Sequence, residues 1–229
     1  MQNERKANGS ELLTDIVIGM SDGLTVPFAL AAGLSGAVSN NTLITIAGIA
    51  EIAAGAIAMG LGGYLAGKTE EDHYNNELKI ESEEIDNNIE QEKDKVRHIF
   101  KAWGFSKQLQ DEAAMEISSE KSKWLGFMMK HEHGLMKPHP KRARKSAFNI
   151  GVSYVVGGFV PLSPYFFFSD SFLSLQVSVI VTLLCLYAFG FTKSKLTGVN
   201  PFLGGLKVML IGAIAAAAAF GIAKLIEGK

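Results

Sequence analysis

Apolar and polar positions divide this chain into long hydrophobic runs and one long polar block. Five runs approach or exceed the roughly 20 mostly apolar residues that a helix needs to cross a hydrocarbon core. They cover residues 12–38, 42–67, 147–168, 172–191 and 202–226, each bounded by polar, Gly or Pro residues. The polar block, 68–145, lies between the second and third runs. The pattern predicts an all-α membrane protein of five transmembrane helices with a helical domain inserted after the second. The corresponding segments are 1–67, 68–145 and 146–229.

The block has its own helical period. Tyr74, Leu78, Ile85, Ile89, Val96, Ile99 and Trp103 recur at steps of three, four or seven, as one helix face requires. Glu81 and Glu92 take the missing rungs, and Glu84 follows Glu81 by one turn. On a single straight helix Glu81 and Glu92 would stand about 16 Å apart. Asp86-Asn87-Asn88 is a candidate break, because Asp and Asn compete for backbone hydrogen bonds and tolerate turns. A hairpin there would fold the two acids together, and a continuous long helix extending from the second run remains open up to that point. A helix led by Ser106 runs to about Ile117, and a further one carries Trp124, Met128, Met129, His131 and Glu132 before Gly134 and Pro138 limit it. The predicted insert is thus a three-helix domain. The HEH run at 131–133 is a weak metal motif, since its two rings project in different directions on a helix. The histidines are therefore not assigned as ligands.

Charge orients the spans. The links at 39–41 and 169–171 carry no Lys or Arg, whereas Lys141, Arg142, Arg144 and Lys145 abut the third run and Lys193 and Lys195 follow the fourth. By the positive-inside rule the N-terminus and the polar block are cytoplasmic and the C-terminus lies outside, with Lys224 and Lys229 weakly opposed. No cleavable signal peptide is expected, because the first run is long and interrupted by Asp15 and Asp22. Lys plus Arg number 22 against 23 Asp plus Glu, and no basic cluster is interleaved with aromatics, which argues against a nucleic-acid partner. The single Cys185 excludes an intrachain disulfide and reads as a packing residue.

The candidate chemistry starts with Asp22 and Glu51, lone acids inside apolar runs. A charge at mid-bilayer costs roughly 2.5–3.5 kcal/mol by insertion scales, so it marks an ion route or a partnered group. Gly19 and Gly23 allow close helix approach, and Pro27 lies one turn past Asp22. Capping of backbone freed by Pro27 is the structural alternative for Asp22. Met59 follows Glu51 by eight residues, about 12 Å along a helix and on the same broad side. Its thioether is ordinarily packing, but beside two carboxylates it suits a transition metal better than Mg or Ca. In the block, Met128, Met129 and Glu132 bring thioether and carboxylate to one turn. Five spans enclose a polar route poorly, so a symmetric homodimer is expected, its close contacts drawn from the Gly- and Ala-rich spans, including Gly63, Gly67 and the alanines at 215–219.

The segments SDGLTVPFALAAGLSGA, GIAEIAAGAIAMGLGGYLAGKTEEDHY and WLGFMMKHEHGLMKPHPKRA, with the Gly-rich third span, closely resemble the vacuolar iron transporter family over nearly the whole chain. The resemblance implies a five-span dimer in the vacuolar membrane of a eukaryote or the plasma membrane of a bacterium. It implies export of cytosolic Fe(II), or Mn(II), against protons, with no prosthetic group. By position, Asp22, Glu51 and Met59 match its membrane pathway, and Glu81, Glu84, Glu92, Met128, Met129 and Glu132 match its cytoplasmic metal ligands. One departure stands out: where relatives carry a further acid three residues after Glu92, this chain has Lys95. A membrane di-metal oxidase and a non-transporting metal sensor are the other readings. The former lacks paired Glu-x-x-His motifs, and the latter leaves Asp22, Glu51 and Met59 without a task.

Overall fold

The computed structural model describes residues 2–228, with side chains from Ser10 onward. Its helices are α1 (Gln2–Ala37), α2 (Asn41–Asn87), α3 (Ile89–Ala102), α4 (Lys107–Ser118), α5 (Lys121–His131), α6 (Arg142–Leu162), α7 (Pro164–Phe167), α8 (Ser171–Leu196) and α9 (Pro201–Glu227). They group into two compact units, 1–65 with 143–229, and 66–142. The first part of α2 belongs to the former and the remainder to the latter.

In the first unit, four helices are long and apolar enough to cross a membrane: α1 from Ser10, α2, α8 and α9. Helices suit that solvent because their backbone groups pair internally. Ile57, Phe148, Ile214 and Leu225 are more than two-thirds exposed, an outward apolar surface that water would not tolerate. The predicted third span, α6, falls short of the other four in apolarity, and its packing explains why. Ser146, Ser153, Tyr154, Gly157 and Gly158 lie on its buried side, where protein rather than lipid is the neighbour.

Two apolar clusters hold this unit. Ala31, Ile44, Ile52, Leu162 and Tyr165 join α1, α2, α6 and α7, and Phe28, Ala32 and Ala216 join α1 and α9, with α8 side chains packed against them. The alanine run, expected to serve contacts between subunits, therefore packs in part within the chain. Gly63 does so as well, for a Cβ there would meet Ile150 and Ser146 of α6. α1 packs closely on α6. A Cβ on Gly23 would lie 2.9 Å from the Tyr154 Cα, and one on Gly157 would lie 3.0 Å from the Leu24 nitrogen, so glycine is needed on both sides.

In the second unit, α2 runs on without interruption from its apolar part to Asn87, and the break comes at Asn88 (φ −135°, ψ 48°). The far part of α2 and the unit's own α3, α4 and α5 enclose Ile85, Val96, Ala114, Ile117, Trp124 and Met128. The Ser106 hydroxyl caps α4 by accepting from the Leu109 N–H. Gly104 and Gly134, which end the turns after α3 and α5, have positive φ. Ile89 and Trp103, rungs of the predicted ladder, are about half exposed. The break at Asn88 restarts the helical phase, and Trp103 already lies in the C-cap of α3.

Candidate functional site

Glu51 is held by a phenol from α6. Tyr154 of α6 donates a short hydrogen bond to Glu51 Oε1 and stands within electrostatic reach of Asp22. Gly55, one turn after Glu51, leaves space for the Tyr154 ring. The second Glu51 oxygen, Oε2, is buried without a hydrogen-bond partner. Glu51 also lines a groove of about 710 Å³ whose walls include Val26, Leu30, Ala219 and Ile222. Met59 is half-buried two turns further along α2, at a different level from Glu51. The structure thus adds to Glu51 a hydroxyl that the sequence reading did not single out. A polar-tipped aromatic in an otherwise apolar, Gly-rich span is the signal that marked it.

A third acid of this unit has a different character. Asp15 is 1 % exposed and accepts from the Ser146 hydroxyl at 2.9 Å and the Asn149 amide at 3.1 Å. Both donors come from one face of α6. Two hydrogen bonds offset much of the cost of burying a polar group, so Asp15 helps join α1 to α6.

The second unit holds a denser cluster. The turn at Asn88 folds α3 back so that carboxylate oxygens of Glu81, Glu84 and Glu92 lie within 4.8 Å of one another. Glu81, Glu132 and His133 satisfy the same limit. Glu132 is the C-cap of α5, and the His133 N–H bonds back to the Met128 carbonyl, so the chain leaves the helical course at this point. His133 Nε2 comes to 2.9 Å from Glu81 Oε2, with Nδ1 3.8 Å from Glu77. A helical projection of HEH did not anticipate this.

Lys95 stands among the acids. Its ammonium lies 2.9 Å from Glu92, 3.0 Å from Glu84 and 3.2 Å from Glu132. Burial works against that charge, but the hydrogen bonds to Glu92, Glu84 and Glu132 outweigh it and hold the ammonium above its usual range. Glu81 is fully buried, and burial pushes its carboxyl up from the ordinary value. The Glu132 and Glu92 charges add to the effect, while the His133 hydrogen bond and the Lys95 charge oppose it. Glu81 Oε1 and Glu92 Oε2 are buried and have no hydrogen-bond partner. Such an arrangement is short of positive charge and has unused lone pairs, which suits a divalent ion. Met128 and Met129 are both at most 1 % exposed. Met128 also belongs to the apolar core of this unit.

A profile described as the VIT family matches residues 13–224. The chain belongs to that family. This VIT-family chain is 50 % identical over 224 residues to "Vacuolar iron transporter 1" of Tulipa gesneriana, covering 98 % of this chain and 91 % of the relative. It is 48 % identical to "Vacuolar iron transporter 1" of Arabidopsis thaliana, with 98 % and 90 % covered. It is 36 % identical to "Protein CCC1" of Saccharomyces cerevisiae, with 94 % and 69 % covered. Both acid clusters fall inside the matched residues of the VIT family.

Proposed function

We propose that this chain moves Fe(II), with Mn(II) as a second substrate, out of the cytosol by exchange for protons. The observation that carries the reading is Glu51, a carboxylate in an apolar helix with one oxygen bound by Tyr154 and the other buried without a partner. A passing divalent ion would supply the missing partner, and a proton would replace it after release. The names of the relatives support iron as the cargo.

In this reading α1, α2, α6, α8 and α9 form five spans, and residues 66–142 face the cytosol. Asp22, Glu51 and Met59 line the route, while Glu81, Glu84, Glu92 and Glu132, with Met128 and Met129, receive metal on the cytosolic side. Two copies complete the route as a homodimer, because Asp22, Glu51 and Met59 are each partly exposed in a single chain and lipid cannot satisfy a carboxylate. The membrane is vacuolar in a eukaryotic cell and the plasma membrane in a bacterial one, since the vector is the same.

The test is metal flux into sealed proteoliposomes, with iron oxidation followed in parallel. Fe(II) should accumulate without being oxidised. An imposed pH gradient should change the flux at clamped membrane potential. Asp22→Ala, Glu51→Ala and Met59→Ala should each reduce flux per folded protein. Wild-type flux from all three would refute the route, oxidation without flux would favour an oxidase, and metal binding without flux a sensor.

A further inference from the structure

The cluster in residues 66–142 already contains a cation of its own. A lysine ammonium has three N–H donors and no acceptor. Lys95 places its nitrogen within 3.2 Å of three carboxylates, Glu84, Glu92 and Glu132, so all its donors are engaged by acids from three different helical segments. This is the role an ion plays among carboxylates. It is performed here by a side chain held on α3.

Two carboxylate oxygens of the cluster are left over. Glu81 Oε1 and Glu92 Oε2 are buried without a partner, on residues that are 0 % and 1 % exposed. His133 brings an imidazole nitrogen to Glu81, and an oxygen of Glu132 completes the group within 4.8 Å. Imidazole with carboxylate is a donor set suited to Fe(II), Mn(II), Co(II) or Zn(II). Charge gives the number of ions. Four carboxylates and one ammonium leave three negative charges, and one divalent ion reduces that to one. A second divalent ion would leave a site with two buried members carrying a net positive charge, so the attraction that draws in the first ion is spent before the second.

We propose that Lys95 is a tethered counter-ion that fills one cation position of this cluster, leaving room for a single divalent transition-metal ion held by Glu81, His133 and Glu132. The inference rests on the reading of residues 66–142 as metal-binding, and it adds the stoichiometry and a histidine ligand. Replacing Lys95 by Glu changes the charge of the cluster by two units, the charge of one divalent ion.

The experiment is Co(II) binding to the purified full-length protein in detergent, by titration calorimetry and by the visible absorption of bound Co(II). Ions belonging to the cluster are those lost in the Glu81→Ala plus Glu84→Ala variant. Wild type should hold one such ion, Lys95→Glu two, and His133→Ala should weaken the wild-type ion at least tenfold. Lys95→Gln, which removes the charge without adding an acid, should bind at least tenfold more tightly and keeps the test open if Lys95→Glu does not fold. Two cluster ions in wild type, one in a folded Lys95→Glu, or unchanged affinity in both Lys95→Gln and His133→Ala would overturn the proposal while leaving a metal-binding unit in place. No cluster-dependent Co(II) in any variant would overturn the metal-binding reading with it. Loss of flux in proteoliposomes with the expected Co(II) counts would instead refute transport alone.

Discussion

Gly23→Ala should damage this protein through a single methyl group. The added Cβ would lie 2.9 Å from the Tyr154 Cα, and closer still to its carbonyl oxygen. Carbon atoms pack comfortably at about 3.5–4.0 Å, so α1 and α6 must separate by roughly 1 Å at this level. The obstructing atoms are backbone, and no rotamer change can move them aside. Overpacking of this kind costs about 1–3 kcal/mol. By the behaviour of soluble chains of this size, where 1 kcal/mol shifts Tm by about 2–4 °C, the upper half of that range corresponds to a fall of roughly 4–12 °C. Because the displaced residue is Tyr154 itself, its bond to Glu51 should suffer too, and flux per folded protein should fall. Thermal unfolding in detergent, followed by size exclusion, measures the first effect and proteoliposome flux the second. Gly157→Ala, whose Cβ would meet its neighbours at 3.0–3.1 Å, should cost less. Gly62→Ala, with nothing within 4 Å of its Cβ, should be neutral or slightly stabilising. A Gly23→Ala protein with wild-type Tm and flux, or a Gly62→Ala change equally harmful, would refute the packing argument.

Three further outcomes are expected. Tyr154→Phe removes the donor to Glu51 and should lower flux while costing about 1–3 kcal/mol in stability, the usual penalty for an orphaned buried acceptor, measured by flux and detergent melting together. Mn(II) at a hundredfold excess over its Kd should stabilise the full-length protein by about 2.7 kcal/mol, and Glu81→Ala plus Glu84→Ala should abolish most of that shift in a thermal melt. Met128→Ala should cost about 2–5 kcal/mol because the side chain is fully enclosed with Trp124 and Val96, and the loss should appear in melting of the metal-free protein.

The apolar runs placed α1, α8 and α9 within about five residues of their membrane-length segments and gave the start of α2, whose helix continues into the polar block as far as Asn87, because lipid imposes a length that composition records directly. The turn at Asn88 was legible for a similar reason, as Asp and Asn rarely continue a helix when a sharp reversal is available. What could not be read was anything that depends on which helices touch. Asp15 looked like an interruption of the first run, and only contact with Ser146 and Asn149 turns it into a joint between helices. Tyr154 sits 103 residues from Glu51, and no local pattern connects them. His133 escaped because helical projection was applied to a residue just past the helix end. Lys95 was visible as an acid replaced by a base, but its three partners come from α2, α3 and the end of α5.

That lysine bears on how the protein is made as well as on what it binds. A cluster of buried acids with no cation of its own repels itself until cargo arrives, so its domain would fold poorly in a cell starved of iron. Here part of the neutralising charge is synthesised with the chain, on the same helix as Glu92 and one turn away. On the proposed metal-binding reading, the domain would therefore fold before any metal is present and be already shaped when the supply returns.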